Sequence, residues 1–180
     1  MEILNLIKNY FFKKYIRENK VVKNPKLITL QRAKSIGFIC NITDEDSYKD
    51  MFSLFSKFQN SSRSLWLMGY IDDNFVPYYC LQQLTADFFC NKELNWFGKP
   101  NKVQIDDFLK KDFDILIDFT KKPHKPVEYI LNLNNAGLVI GGNQYNRNDY
   151  DIFIDNPNSD NYNLLENIHK YTLKLMGDTI

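Results

Sequence analysis

Aspartate residues directly follow three of the apolar segments that the sequence pattern predicts to be β-strands. Asp72 and Asp73 follow the segment SLWLMGYI, Asp118 follows DFDILI, and Asp155 follows DIFI. Carboxylates that recur at the ends of strands could form an acid/base pair or a metal cluster. The interpretation that we favour is structural, because Asp often ends strands by bonding the backbone of the next turn. Asp118 is the strongest single candidate, since it directly follows Ile-Leu-Ile.

Other residues near this strand in the sequence extend the candidate pocket. Thr120 and His124 lie in the predicted loop behind Asp118, and Gly141 and Gly142 follow the next predicted strand. His124 could act as a general base, although we favour a histidine in a solvated loop. The two glycines would permit a tight turn or the close approach of a ligand to the backbone.

The common nucleotide-binding and hydrolase motifs are missing from the sequence. NITDED follows the first predicted strand in place of GxGxxG, and neither a P-loop nor GxSxG occurs. Asp44, Glu45 and Asp46 would repel phosphate. These three acids could bind a divalent cation, but in the first turn of a helix they more often stabilise the helix start. We therefore predict no cofactor and no metal site, and whether the chain is an enzyme stays open.

The three cysteines predict a reducing compartment. Cys40, Cys80 and Cys90 are an odd number without a CxxC pair, and Cys40 and Cys90 lie in apolar runs. Buried free thiols are the expected state, which is typical of a cytoplasmic protein. Neither a signal peptide nor an apolar run of about 20 residues is visible.

The segment KELNWFGKPN places two large aromatic residues in a predicted loop. In one interpretation Trp96 and Phe97 fold back over the core, while Gly98 makes the turn and Pro100 starts the next helix. In the other, Trp96 and Lys99 belong to a contact surface, because aromatic side chains bury much area at little entropic cost. The exposed fraction of Trp96 distinguishes the two.

A basic, amphipathic helix is predicted over residues 3–18. Residues 1–34 carry nine basic and two acidic residues, a charge of +7, so the remainder carries −6. We expect one apolar face of this helix to pack on the chain's own domain. A protein partner or homodimer, an anionic membrane surface and RNA phosphates are the alternatives. The residues of that face are Ile3, Leu4, Ile7, Tyr10, Phe11 and Tyr15.

Strands and helices alternate from residue 34 onwards, which predicts a mainly parallel sheet of five or six strands. The expected fold is an α/β, three-layer Rossmann-like or flavodoxin-like sandwich. We divide the chain into the N-terminal helix with its connector, 1–33, and one domain, 34–180. In such folds ligands bind beyond the carboxyl ends of the strands, where the strand order reverses.

Three segments resemble an uncharacterised family of bacterial proteins of about this length, found mainly in Bacteroidota. They are AKSIGFICNITDEDSY, DFFCNKELNWFGKP and DFDILIDFT. The likeness covers roughly residues 3–176, and the loop with NWFGKP is its most specific part. No activity is established for that family, so the resemblance implies no catalytic residues.

A second resemblance concerns architecture. The segment DFDILIDFT, together with PVEYILNLNNAGLVIGGN, is similar to part of the N-terminal Rossmann-like half of heptosyltransferase-type glycosyltransferases. In those enzymes a strand ending in Asp, a helix and a small strand succeed one another. The glycine motif that follows their first strand is replaced here by NITDED.

The function predicted from the sequence is a non-enzymatic binding or interaction module with an anionic or protein partner. The basic helix and the NWFGKP loop would supply its contact surfaces. The alternative is a nucleotide- or sugar-phosphate-binding protein, or a minor transferase-like enzyme. Its pocket would contain Asp118 and His124 beside Gly141 and Gly142, with Trp96 as a wall.

Overall fold

A sheet of six parallel strands forms the centre of the structure, a computed structural model that describes residues 2–59, 62–156 and 160–177. The strand order is β3-β2-β1-β4-β5-β6, and every neighbouring pair is parallel. The predicted α/β Rossmann-like fold is therefore confirmed. The strands are β1 Ser35–Asn41, β2 Ser64–Ile71, β3 Ala86–Cys90, β4 Ile115–Asp118, β5 Val139–Gly141 and β6 Ile152–Phe153.

Helices cover both faces of this sheet. They are α1 Glu2–Asn19, α2 Glu45–Ser56, α3 Val103–Lys110, α4 Lys125–Leu133 and α5 Asn161–Leu175. Apolar side chains of α2 and α5 pack in one core cluster. Those of α1, α3 and α4 pack in a second cluster on the other side of the sheet. The predicted helix at the N-terminus is confirmed.

The composition of β1 explains why the strand is buried on both faces. Ile36 and Phe38 point into the cluster of α2 and α5, while Ile39 points into the cluster of α1, α3 and α4. This alternation follows from the period of two in a strand. Because both sides are apolar, the strand lacks the polar alternation of a half-exposed strand.

The strand order reverses between β1 and β4. From β1 the chain proceeds through β2 to β3 on one side, whereas β4, β5 and β6 follow on the other. Ile39 of β1 lies opposite Asp118 of β4 in the ladder. The carboxyl ends of these two strands therefore meet at the topological switch point, where doubly wound sheets bind their ligands.

Two local features lie outside the regular strands and helices. Residues 77–84 form turns between β2 and β3. Helix α4 ends at Leu133, and the buried side chain of Asn134 terminates it. Its amide group donates to the carbonyl oxygens of Ile130 and Leu131, at 2.9 and 2.8 Å, and its Oδ1 accepts from the N–H of Ala136. The amide side chain of Asn134 thereby caps the carboxyl end of α4.

The helix start after β1 has the predicted cap. Asp44 accepts a hydrogen bond from the N–H of Ser47 at 2.7 Å, and Ser47 Oγ accepts from the N–H of Asp44 at 3.1 Å. The bond from the N–H of Ser47, together with one from the Thr43 hydroxyl, holds the pKa of Asp44 below its usual value. In the part of the chain that the structure describes, no group of three His, Cys, Asp or Glu residues is arranged to hold a metal ion. The three cysteines are free and buried, as expected.

We predict that Asn134→Ala lowers the free energy of unfolding by about 1–3 kcal/mol, because it leaves buried backbone groups without partners. Denaturation in urea would measure this loss. The neighbouring Asn135→Ala is the matched control, since Asn135 is exposed and should change stability by less than about 0.5 kcal/mol. Equal effects of the two substitutions would refute the capping role.

Candidate functional site

The carboxylate of Asp118, at the end of β4, is fully buried and accepts several hydrogen bonds. The Tyr150 hydroxyl donates to Oδ2 at 2.5 Å, and the Thr120 hydroxyl donates to the same atom at 3.0 Å. The backbone N–H of Thr120 donates to Oδ1 at 2.8 Å. The Asn146 amide approaches Oδ2 at 3.5 Å. This network ties the loop behind β4 to the segment that precedes β6.

Burial and hydrogen bonding act on the pKa of Asp118 in opposite directions. Loss of solvent raises the pKa, while the hydrogen bonds from Tyr150, Thr120 and Asn146 lower it, and the net change is upward. The pKa of Tyr150 is raised by its own burial and by the adjacent charge of Asp118. Tyr150 therefore stays protonated and serves as a donor. Asp118 is therefore a buried acceptor that connects two segments of the chain, which we call the anchor, and not an acid exposed to solvent.

The two glycines after β5 make room for the protein itself. A Cβ atom on Gly141 would lie 2.4 Å from Cζ of Tyr150, and one on Gly142 would lie 2.8 Å from the carbonyl oxygen of Ile154. The space above Gly141 is occupied by the ring that donates to Asp118. The glycine pair thus serves close packing at this edge of the sheet.

A crevice opens above this network at the carboxyl edge of the sheet. It consists of two adjoining cavities, of about 350 and 330 Å³, that share Phe119, Lys121 and Asn161. The first is bordered by Asp118, Thr120 and Gly142, and the second reaches the start of α2. We call the two cavities together the switch-point crevice. Of the residues predicted for a pocket, three therefore border one cavity.

His124 lies elsewhere, in a polar cluster with Tyr70 and Asp72. Its ring stands edge-on to the Tyr70 ring, with centroids 5.1 Å apart, and Nδ1 is 3.9 Å from Oδ2 of Asp72. The Tyr70 hydroxyl donates to Oδ1 of Asn91 at 2.6 Å. Only about 10% of the His124 side chain is exposed, so the expectation of a solvated loop histidine is wrong. Burial lowers its pKa, and the nearby Asp72 opposes this shift.

The NWFGKP loop faces α1. Trp96 is 54% exposed and packs edge-on against Phe11, with ring centroids 5.1 Å apart. Phe97 is half-buried beside Tyr15, and the ammonium of Lys99 lies 4.7 Å from the centre of the Tyr15 ring. The positive φ of 99° at residue 98 explains its glycine. Trp96 is therefore mainly part of the surface and does not border the switch-point crevice.

Helix α1 packs on the domain through the face opposite to the predicted one. Its buried residues are Phe12 and Ile16. With about 3.6 residues per turn, these point away from Ile3 and Ile7, which remain exposed. The expectation that this face docks is wrong, except for the half-buried Tyr15. Together with Trp96 we call the exposed residues the outward apolar surface; its helical members are Ile3, Leu4, Leu6, Ile7, Tyr10 and Phe11, each 42–73% exposed.

The first half of α1 extends past its neighbour α4. The two helices run side by side, since Lys13 pairs with Glu128 at 2.5 Å and the ring of Tyr15 stacks on Tyr129 at 6.0 Å. Helix α4 begins at Lys125. No residue between 2 and 11 is buried. These ten residues correspond to about 15 Å of helix, which project as an arm.

Sequence reasoning missed the partners that organise these places. Tyr150 and Asn146 are distant in sequence from Asp118, and no local pattern relates them. Tyr70 and Asn91, beside His124, belong to two other strand ends. In the sequence, Tyr70 and Tyr150 resemble ordinary apolar residues of predicted strands. Only their tertiary contacts identify them as hydrogen-bond donors.

We predict that Asp118→Asn and Tyr150→Phe each lower the free energy of unfolding by about 1–3 kcal/mol. Asp118→Asn replaces one accepting oxygen by an NH₂ group that faces other donors. Tyr150→Phe removes the hydroxyl that donates to Asp118. Asp155→Asn is the control, because Asp155 is exposed at the same crevice. Urea denaturation measures all three. If Asp118→Asn cost no more than Asp155→Asn, the anchor would be refuted.

The pKa shift of His124 predicts a pH dependence of stability. Because burial depresses the pKa in the folded protein, the unfolded chain binds a proton first when the pH falls below about 6.5. His124 therefore makes unfolding easier between about pH 7.5 and 5.5. His124→Asn should lose less stability than the wild type over this range. His169→Asn is the control, and a His124→Asn protein with the wild-type pH slope would contradict the prediction.

Comparisons with known proteins support a family membership and nothing finer. The chain belongs to DUF6913, a family of unknown function whose model matches residues 6–175. No curated protein and no solved structure matches the chain. The architectural likeness to glycosyltransferases therefore stays a prediction.

Proposed function

We propose that this member of DUF6913 is a non-enzymatic binding module, and that its contact surface is the outward apolar surface. The single observation that supports this is the exposure of that surface on a projecting helix. Single exposed apolar residues are common, but contiguous patches of them mark contact sites. Ile3, Ile7 and Tyr10 follow one another at helical spacing, and Phe11 continues the patch to Trp96.

Charge favours an anionic membrane surface as the partner. Lys14 and Arg17 continue the outward side of α1 beyond the apolar arm, and both are exposed. Lys14 lies 3.9 Å from Glu18, an exposed pair that is worth little. A helix with apolar and aromatic residues at one end and cations at the other suits the boundary between acyl chains and anionic headgroups. Tyr10, Phe11 and Trp96 would lie at that boundary, where aromatic side chains are favoured.

The other partners fit less well. RNA phosphates would use the cations but leave the arm's apolar residues in water. A second copy of the chain would bring the cations Lys14 and Arg17 of two α1 helices towards each other. Within the described residues, no helix has both the length and the apolar character needed to cross a bilayer, so the proposed contact is with the surface.

Vesicle binding tests the proposal. We expect the protein to sediment with vesicles of phosphatidylcholine and phosphatidylglycerol, and less with vesicles of phosphatidylcholine alone. Each cation near an anionic surface contributes about 1 kcal/mol, and each fully buried Ile or Leu about 1.5–3 kcal/mol. The affinity of the double variant I7S/Y10S for anionic vesicles should therefore be lower by about tenfold or more. The pair K14E/R17E should lose the preference for anionic vesicles.

The control is Leu84→Ser, which removes a fully exposed apolar side chain from a loop outside the surface. It should bind vesicles like the wild type. Equal binding to neutral and anionic vesicles would overturn the charge argument. If the protein does not bind vesicles but forms a dimer that I7S/Y10S abolishes, the partner of this surface is a second copy of the chain and not a membrane.

A further inference from the structure

The switch-point crevice carries polar groups that the fold does not use. The ammonium groups of Lys121 and Lys122 are exposed, and neither makes an ion pair or hydrogen bond with its side chain in the described part of the chain. Oδ1 of Asn156 is buried and, among the residues that the structure describes, finds no hydrogen-bond partner. An unsatisfied buried acceptor costs free energy, so a donor from a ligand would stabilise it.

Anions are poorly matched to this crevice. Two helix starts border it, and each is already capped by a carboxylate of its own. Asp44 accepts from the N–H of Ser47, and Asp160 accepts from the N–H of Tyr162 at 2.9 Å. Some of the backbone donors that bind phosphate at helix starts are thus already bonded to the protein's own carboxylates. The carboxylates of Asp46 and Asp50 at the second cavity add repulsion.

Hydroxyl groups match the remaining chemistry. The crevice offers acceptors at Asp46, Asp50, Asp155 and Asn156, and donors at Lys121. A hydroxyl both donates and accepts, so a ring with several hydroxyls can satisfy both kinds of group. Apolar residues, among them Phe119 and Leu164, also border the crevice, and a sugar ring has an apolar face to set against them. The cavity volumes are in the range of small-molecule sites.

We propose that the switch-point crevice binds a sugar ring with free hydroxyls and no phosphate, either as a free saccharide or as part of a nucleoside. The two sources share the hydroxylated ring, and the base distinguishes them. This site is separate from the outward apolar surface, so the two proposals can fail independently.

Amide chemical shifts of the ¹⁵N-labelled full chain, recorded by NMR, test the proposal with ribose, adenosine and ribose 5-phosphate. We expect ribose or adenosine to shift the amides of residues 119–122 and 142–145, while Trp96 stays unchanged. Ribose binding alone identifies a saccharide site, and tighter adenosine binding a nucleoside site. Ribose 5-phosphate should bind more weakly than ribose.

Variants locate the site. Asn156→Ala removes the unpartnered acceptor and should weaken binding about fivefold, the equivalent of one hydrogen bond of about 1 kcal/mol. Lys111→Ala, an exposed lysine outside the crevice, should bind like the wild type. The proposal is overturned if neither neutral probe binds up to its solubility, if ribose 5-phosphate binds most tightly, or if Asn156→Ala binds unchanged.

Discussion

The buried carboxylate of Asp118 is the constraint on which the carboxyl edge of the sheet depends. A buried carboxyl group is tolerated only when donors satisfy its oxygens, and here Thr120 and Tyr150 supply them. Tyr150 reaches this position because Gly141 lacks a side chain. Three separate segments are thereby held together, and they form the floor of the switch-point crevice. A residue that looks catalytic by position thus has a structural role that shapes a cavity.

Helix α1 uses its two apolar sides differently. Phe12 and Ile16 lie on one side of the helix and pack in the core cluster that α1 shares with α3 and α4. This packing fixes the direction of α1. The opposite side stays in solvent and is extended by Trp96 from the NWFGKP loop. Because α4 starts only at Lys125, the first turns of α1 lie beyond the start of that helix, and none of residues 2–11 is buried. The unusual aromatic loop is explained by this contact with Phe11 and Tyr15.

Most of the fold was predictable because its signals are local. Unbroken apolar runs such as SIGFIC indicate strands that are buried on both faces, and capped periodic segments indicate the helices between them. The stop of α4 at Asn134 was less predictable, since an amide side chain caps it and not the glycine that commonly ends helices. For the candidate site, Asp118, Thr120 and Gly142 were predicted from their places after strands. All three border one cavity, and that this cavity is a functional site stays a prediction.

Periodicity by itself determined that residues 3–18 form a helix with apolar residues, and that the chain alternates strands with helices. Only the tertiary structure decided which side of α1 is buried, because the apolar residues of this helix lie on two sides and local pattern does not rank them. Likewise, the lowered pKa of His124 and the partners of Asp118 depend on contacts with residues from other segments. Such contacts form when segments that are distant in sequence meet in the folded sheet, so spacing along the sequence does not predict them.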